Sequence, residues 1–205
     1  MNTFERFAEE ASTERLQDMW ARVLAGEIRR PQSFSLQTLR FVAELDQEIA
    51  ELFEKHASGV LNADFIPDPP TEGNEFTELI RLQEFGLVSG AGGMLSKTVK
   101  LHPGPAAVRY KSHSVLLFIN KDVKLEIKCV LLTRVGRQIY KIIEPAPDIE
   151  HARAFAKKIR KDCIDRILYV PTSGEGSPAS QSIELWVKPP DPFNDSASEP
   201  QKPSE

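Results

Sequence analysis

The chain has 205 residues, 40% of them apolar and 27% charged, with a formal net charge of −4. This is an ordinary globular composition, enough for one domain or two small ones. It excludes a membrane-spanning helix, because no apolar run approaches the roughly 18 residues required.

The N-terminus, MNTFERFAEE, is polar and acidic and does not read as a signal peptide. Cys129 and Cys163 are the only cysteines. Without a close C-x-x-C they read as reduced thiols: Cys129 in the core, Cys163 nearer the surface. The expected location is cytoplasmic.

In chain order, residues 2–11 predict a short helix with Phe4, Phe7 and Ala8 on one side. Ser12 or Thr13 can cap the next helix, where Leu16, Met19, Trp20, Val23, Leu24 and Ile28 recur at helical spacing and predict a broad buried stripe. Glu14 and the Arg29–Arg30 pair suit the two ends of that helix dipole, and Pro31 stops it. Glu27 is expected in a surface ion pair with Arg22 or Arg30. Gly26 costs roughly 1 kcal/mol against Ala in a helix interior, which points to a packing reason. Ser35 caps a second helix carrying Leu36, Leu39, Val42 and Ala43 inward, with Phe34 placed to staple onto Leu39. The short link predicts an antiparallel helical hairpin.

Leu16-Gln17, Trp20-Ala21-Arg22, Leu24-Ala25-Gly26-Glu27, Pro31, Phe34-Ser35-Leu36 and Thr38-Leu39 together resemble a bacterial family of unknown function, DUF2806. The resemblance is dense over about thirty residues. It implies a bacterial cytosolic protein, sometimes near mobile-element or phage-defence genes, and it carries no established catalytic residues. It also implies more chain ahead of the motif than is present here, so an N-terminal module is expected to be missing.

A third helix starts at Asp46 and carries Ile49, Leu52 and Phe53, stopping at Ser58-Gly59 with the glycine left-handed. Residues 60–66 predict a short strand, and PDPPTEG a break. Asn74 caps a helix with Phe76, Leu79, Ile80 and Gln83 along it, ended by Gly86-Leu87 as a Schellman stop. Ser96–Leu101, Arg109–Asn120 and the alternating segment from Val123 read as strands. Thr133 caps a helix bearing Val135 and Ile139, and residues 149–162 form another. Arg166–Val170 and Ile183–Val187 are strands around a flexible loop. The phrase LIRLQEFGLV is like the helix ending that precedes a strand in winged-helix domains, and LLTRVGRQIY is like the strand-to-helix exit after a winged-helix hairpin.

The histidines His56, His102, His113 and His151 fit no metal spacing, whereas a zinc site needs about four ligands. They read as surface or hydrogen-bonded. SGAGGMLSK invites a phosphate-loop reading, but Lys97 leads into a strand rather than opening a helix. No G-x-S-x-G elbow is present. No cofactor, metal or catalytic residue is therefore expected, and the protein reads as a non-enzyme.

Charge is distributed unevenly. Residues 1–85 hold 8 Lys/Arg against 17 Asp/Glu, whereas residues 86–141 hold 10 against 2. The basic middle offers Lys97, Lys100, Arg109, Lys111, Lys121, Lys124, Lys128, Arg134 and Arg137 as candidate polyanion-binding residues, since Lys and Arg make the phosphate contacts that dominate nucleic-acid affinity. The bland alternative is a solvated face complementing the acidic helices.

The expected fold is α+β: a helical region over 1–60, a winged-helix-like or small α/β region over 61–188, and a disordered acidic tail over 189–205. The leading functional expectation is a non-enzymatic interaction or regulatory module, with an unknown protein partner or self-association through the Trp20 region. The alternative is a winged-helix-type nucleic-acid binder using residues 97–137.

Overall fold

The computed structural model describes residues 14–93, 95–143, 145, 148–160, 162–171 and 182–189. The helix expected over 2–11, its neighbours Ser12 and Thr13, and the tail beyond residue 189 lie outside the described residues. The fold is α+β, with six helices and two antiparallel sheets among them.

Helix α1 (Glu14–Arg29) buries Met19, Trp20 and Val23. The expected stripe is wider than what is covered, because Leu24 is 45% exposed and Ile28 73% exposed. Arg22 pairs with Asp18 at 2.9 Å, and its Nη1 donates to the Ile142 carbonyl at 3.2 Å. Glu27 makes no pair with Arg22 or Arg30. It folds over the end of its own helix and accepts from the backbone N–H of Phe34 at 2.7 Å and of Gln32 at 2.8 Å, and from Ser33 Oγ at 3.1 Å. Three short bonds to one carboxylate hold a turn in which Gln32 is left-handed (φ 65°). The expected packing reason for Gly26 is the Phe34 ring, since a Cβ there would stand 2.8 Å from Phe34 Cε2.

Helix α2 (Leu36–Ala43) has Ser35 as its N-cap, accepting from Thr38 N–H at 3.3 Å as expected. Its inward face is Thr38 and Val42, while Leu36, expected inside, is 60% exposed. Helix α3 (Gln47–Ala57) buries Ile49, Ala50, Phe53 and Ala57. It leaves through Ser58 in the right-handed region rather than by a left-handed Gly59. Gly59 is instead a close approach, its Cβ position lying 3.0 Å from His151 Cδ2.

The strand expected over 60–66 is shorter. Leu61 bridges Phe65 across a tight turn in which Asn62 and Ala63 are left-handed (φ 52° and 54°), and β1 is only Phe65–Pro67. Helix α4 (Gly73–Glu84) begins one residue before Asn74, with Glu72 at the cap position. It ends as read: Gly86 takes φ 73°, Leu87 N–H reaches Leu82 O at 2.9 Å and Gly86 N–H reaches Gln83 O at 2.9 Å, the two bonds of a Schellman motif.

Strands β2 (Val88–Ser89) and β3 (Ser96–Leu101) follow. The single strand expected over 109–120 is a hairpin, β4 (Gly104–Arg109) and β5 (His113–Ile119). His-Pro-Gly-Pro disguised β4, yet proline is tolerated there because β4 is an edge strand. Strand β6 (Val123–Leu132) pairs with β1, β2 and β3. Because β3 and β6 are partners, the β4–β5 hairpin is an insertion between them, and it belongs to the second sheet, ordered β4-β5-β7-β8. Thr133 caps α5 (Arg134–Ile142), accepting from Gly136 N–H at 3.0 Å. Then come α6 (Ile149–Ile159), β7 (Ile164–Pro171) and β8 (Ile183–Val187).

Two apolar cores result. One joins α1 to α5 with Ile66, Val88, Val130 and Leu132. The other lies between the second sheet, α6 and the near half of β6, where Leu125, Ile127 and Cys129 alternate inward. Cys163 is also buried there, against the expectation of a more exposed thiol. The odd residues of β6 face the second core as far as Cys129, and the even residues Val130 and Leu132 face the first. The even face bearing Lys124, Glu126 and Lys128 is left open.

Candidate polyanion-binding surfaces

The expected cationic residues do not form one patch. Strand β3 sends Lys97 to the inner side, where its ammonium pairs with Asp64 and lies 4.9 Å from the centroid of the Phe65 ring. Arg137 reaches the same carboxylate at 3.6 Å, and its Nε donates to Leu132 O at 3.1 Å. Lys111 is drawn onto the end of α5, donating to the carbonyls of Tyr140 and Lys141, each at 2.9 Å, and of Ile143. A cation on orphan helix carbonyls also complements the negative end of the dipole. These three are therefore occupied by the fold. Arg134 is exposed at the start of α5 and Arg109 at the end of β4.

Lys100, Lys124 and Lys128 do share a face. Antiparallel register sets Lys100 opposite Lys124 and Ser96 opposite Lys128, with all four exposed. The carboxylate between them, Glu126, accepts from Ser96 Oγ at 2.9 Å. Among the described residues no hydrogen bond or ion pair engages the side chains of the three lysines. Lys121 is exposed in the turn before β6.

Sequence reasoning overlooked a second basic surface. Arg22, Arg29 and Arg30 of the α1 end and Lys141 of α5 line a depression of about 630 Å³ with Ser33 and Phe34. A neighbouring one, about 520 Å³, is lined by Arg109, Tyr110, Lys111, Tyr140 and again Lys141. Among the described residues no carboxylate lines either. Arg29 and Arg30 had been accounted for by the helix dipole alone, and Lys141 by nothing, so only their convergence in space marks the surface.

The glycine loop after α4 offers no phosphate cradle. The N–H groups of Gly90 and Ala91 both donate to Gln83 Oε1, at 2.7 and 2.8 Å, and Lys97 is held by Asp64.

The histidines are not uniformly surface groups. His56 Nε2 meets Glu78 at 2.8 Å, His102 meets Asp122 at 2.7 Å and His151 meets Asp148 at 2.7 Å. His113, by contrast, is fully buried. It stacks on Tyr110 at 4.2 Å between ring centroids and meets Tyr169 at 4.7 Å. Its Nδ1 lies 3.1 Å from Ser112 Oγ, while its Nε2 has no partner among the described residues. Burial pushes its pKa down to about 4. Among the described residues no cluster of three or more His, Cys, Asp or Glu could hold a metal ion.

Several motif residues around Trp20 have a definite structural role. Glu27 ties the turn, Gly26 admits Phe34, Arg22 holds the end of α5, and Gln138 of α5 grips the start of α2. Gln138 Oε1 accepts from Ser35 N–H and Ser35 Oγ at 3.0 Å each and from Thr38 Oγ1 at 2.5 Å, and its Nε2 donates to Ser33 O at 3.2 Å.

Residues 1–64 match the family model described as Protein of unknown function (DUF2806). The DUF2806 region thus contains α1, α2 and α3, the turn held by Glu27 and three of the four cations of the larger depression. No curated protein and no solved structure matches the chain. No described helix is long and apolar enough to cross a membrane.

Proposed function

We propose that this protein is a non-enzymatic module that binds nucleic acid through phosphate contacts on the open face of the β3–β6 ladder. The observation supporting this is the lysine trio. Like charges directly opposite in an antiparallel pair are destabilising, yet Lys100 stands opposite Lys124 with Lys128 on the same face, and none is neutralised within the described fold. A face that folding does not require, and that carries three free ammonium groups, suits a backbone polyanion. The β3–β6 ladder following α4 gives a wing-like reading of this region, with the β4–β5 hairpin as its insertion.

The test is fluorescence anisotropy with a short duplex and a single strand, run across a salt series. Combined Lys100→Glu, Lys124→Glu and Lys128→Glu substitution is expected to abolish binding. The wild-type salt slope should reflect about three phosphate contacts, at roughly −0.9 for each on duplex DNA. No binding by the wild type at low salt would overturn the reading.

A second reading is a protein-interaction module in the DUF2806 region, favoured by Leu24, Ile28 and Leu36, three apolar side chains exposed on α1 and α2. Light scattering across a concentration series separates it from the first. Mass rising with concentration, and reverting on Ile28→Glu, supports self-association; a constant monomer mass counts against it.

A further inference from the structure

We infer that the depression between the end of α1 and the end of α5 is a binding site for a phosphate group carried on a larger molecule. Arg22, Arg29, Arg30 and Lys141 converge on it from two helices far apart in sequence, and among the described residues no carboxylate lines it. The sign of the surrounding chain makes this notable: residues 1–85 carry 17 acidic side chains and only 8 basic ones, yet three of those 8 stand here.

Ordinary structural roles account for part of the cluster. Arg22 completes the carbonyl end of α5 and pairs with Asp18. Arg29 lies in the last turn of α1, where the dipole favours a cation by a few tenths of a kcal/mol to about 1 kcal/mol. Lys141 holds the same place in the last turn of α5, which leaves Arg30 without a structural task for its side chain. The side chains of Arg29, Arg30 and Lys141 make no hydrogen bond or ion pair among the described residues. The nearest motif carboxylate, Glu27, forms no ion pair with them, its oxygens being engaged by the turn. Arg29, Arg30 and Lys141, held together without a paired counter-charge among the described residues, form a preorganised anion site.

The chemistry favours phosphate. Guanidinium groups present planar, paired donors that match phosphate oxygens two at a time, and an ammonium beside them adds a point charge. Phe34 supplies an apolar wall, kept close by the absence of a side chain at Gly26. At about 630 Å³ the depression falls in the size range of small-molecule pockets and exceeds what a bare phosphate fills. The phosphate can belong to a free phosphorylated molecule of nucleotide size or to a polynucleotide. The site uses none of Lys100, Lys124 or Lys128 and stands or falls separately from the lysine face.

The experiment is calorimetric titration of the full chain with pyrophosphate at low salt, with sodium chloride at matched ionic strength as the control. Saturable binding is expected, weakened at least tenfold by Arg29→Glu and by Lys141→Glu and unchanged by Lys157→Glu, an exposed lysine of α6 outside both basic surfaces. Both substituted residues are exposed and, among the described residues, unpaired, so each variant should keep the wild-type circular dichroism and lose only the small dipole contribution from its urea midpoint. If either fails to fold, Arg30→Glu takes its place. Saturable binding by the wild type that none of these variants weakens would overturn the site, as would heats no different from those of chloride. Competition then assigns the source. Displacement of pyrophosphate by a nucleoside diphosphate, but not by an oligonucleotide, supports a free small molecule. Displacement by an oligonucleotide in the Lys100→Glu, Lys124→Glu, Lys128→Glu chain supports a polynucleotide phosphate held here rather than on the sheet.

Discussion

Gly136 lies with its Cα against the backbone carbonyl of Leu87, so closely that a β-carbon at that position would overlap the oxygen. The same carbonyl accepts from Thr133 N–H at 3.1 Å, and Thr133 Oγ1 donates to Gly86 O at 2.6 Å. The start of α5 is thereby docked on the end of α4, backbone to backbone. Gly136→Ala should improve intrinsic helix propensity by about 1 kcal/mol and still destabilise, because rigid overpacking costs roughly 1–3 kcal/mol and sometimes more. Urea unfolding measures the difference, and an unchanged midpoint would contradict the packing.

Gln138 is the second contact on which the helical layer depends. Removing its carboxamide leaves Ser35 N–H and the fully buried Thr38 hydroxyl without their acceptor. Gln138→Ala is expected to cost on the order of 1–3 kcal/mol, the penalty for an orphaned buried donor. Amide exchange at Ser35 and Leu36 should accelerate, while exchange in β7 stays unchanged. Uniform acceleration would point to a general loss of stability instead.

Two lysines on the same strand should behave in opposite ways. Lys97 is paired with Asp64 and sits over Phe65, whereas Lys100 is free. Lys97→Ala is predicted to lower the denaturation midpoint and leave the affinity for a short oligonucleotide within about twofold. Lys100→Ala should do the reverse, weakening affinity and making the salt slope shallower by about one phosphate contact. Paired anisotropy and unfolding curves decide it.

His113 makes stability depend on pH. Its folded pKa is pushed down to about 4 by burial, from the ordinary 6.5; the Asp148 charge opposes that shift and the His151 charge adds to it. Between these values the unfolded chain binds a proton that the folded chain refuses, so the unfolding free energy rises with pH. Its contribution is fully present above about 6.5 and is lost as pH falls towards about 4. His56, lowered by burial despite its contact with Glu78, acts in the same direction. His113→Phe should flatten the decline between pH 6.5 and 4 measured by thermal unfolding; an unaltered profile would assign the effect elsewhere.

Several elements were legible because their causes are local. Ser35, Thr133, and Gly86 with Leu87 announced two caps and a stop that the structure contains, since each depends on groups within a few residues. Alternation from Val123 marked β6, and the Trp20 spacing marked α1. The DUF2806 signature was also readable as letters. Where local logic failed, a distant partner was the reason. Pro105 hid an edge strand that exists because β5 pairs with it, and Leu24, Ile28 and Leu36 met no covering surface among the described residues.

The sequence by itself determined the helices and strands with strong periodicity, their caps, the acidic and basic division of the chain, and the reduced state expected of two unpaired thiols, because these follow from neighbouring residues and composition. Only the tertiary structure decided which cations remain available. Strand alternation turns Lys97 away from the lysine face, but only Asp64, 33 residues before it, neutralises it there, and the end of α5 captures Lys111 and Arg22. The packing of α1 against α5 brings Arg29 and Arg30 beside Lys141. Charge along the chain is a matter of counting. Whether a charge is neutralised depends on what folding sets within about 4 Å of it, which no local pattern contains.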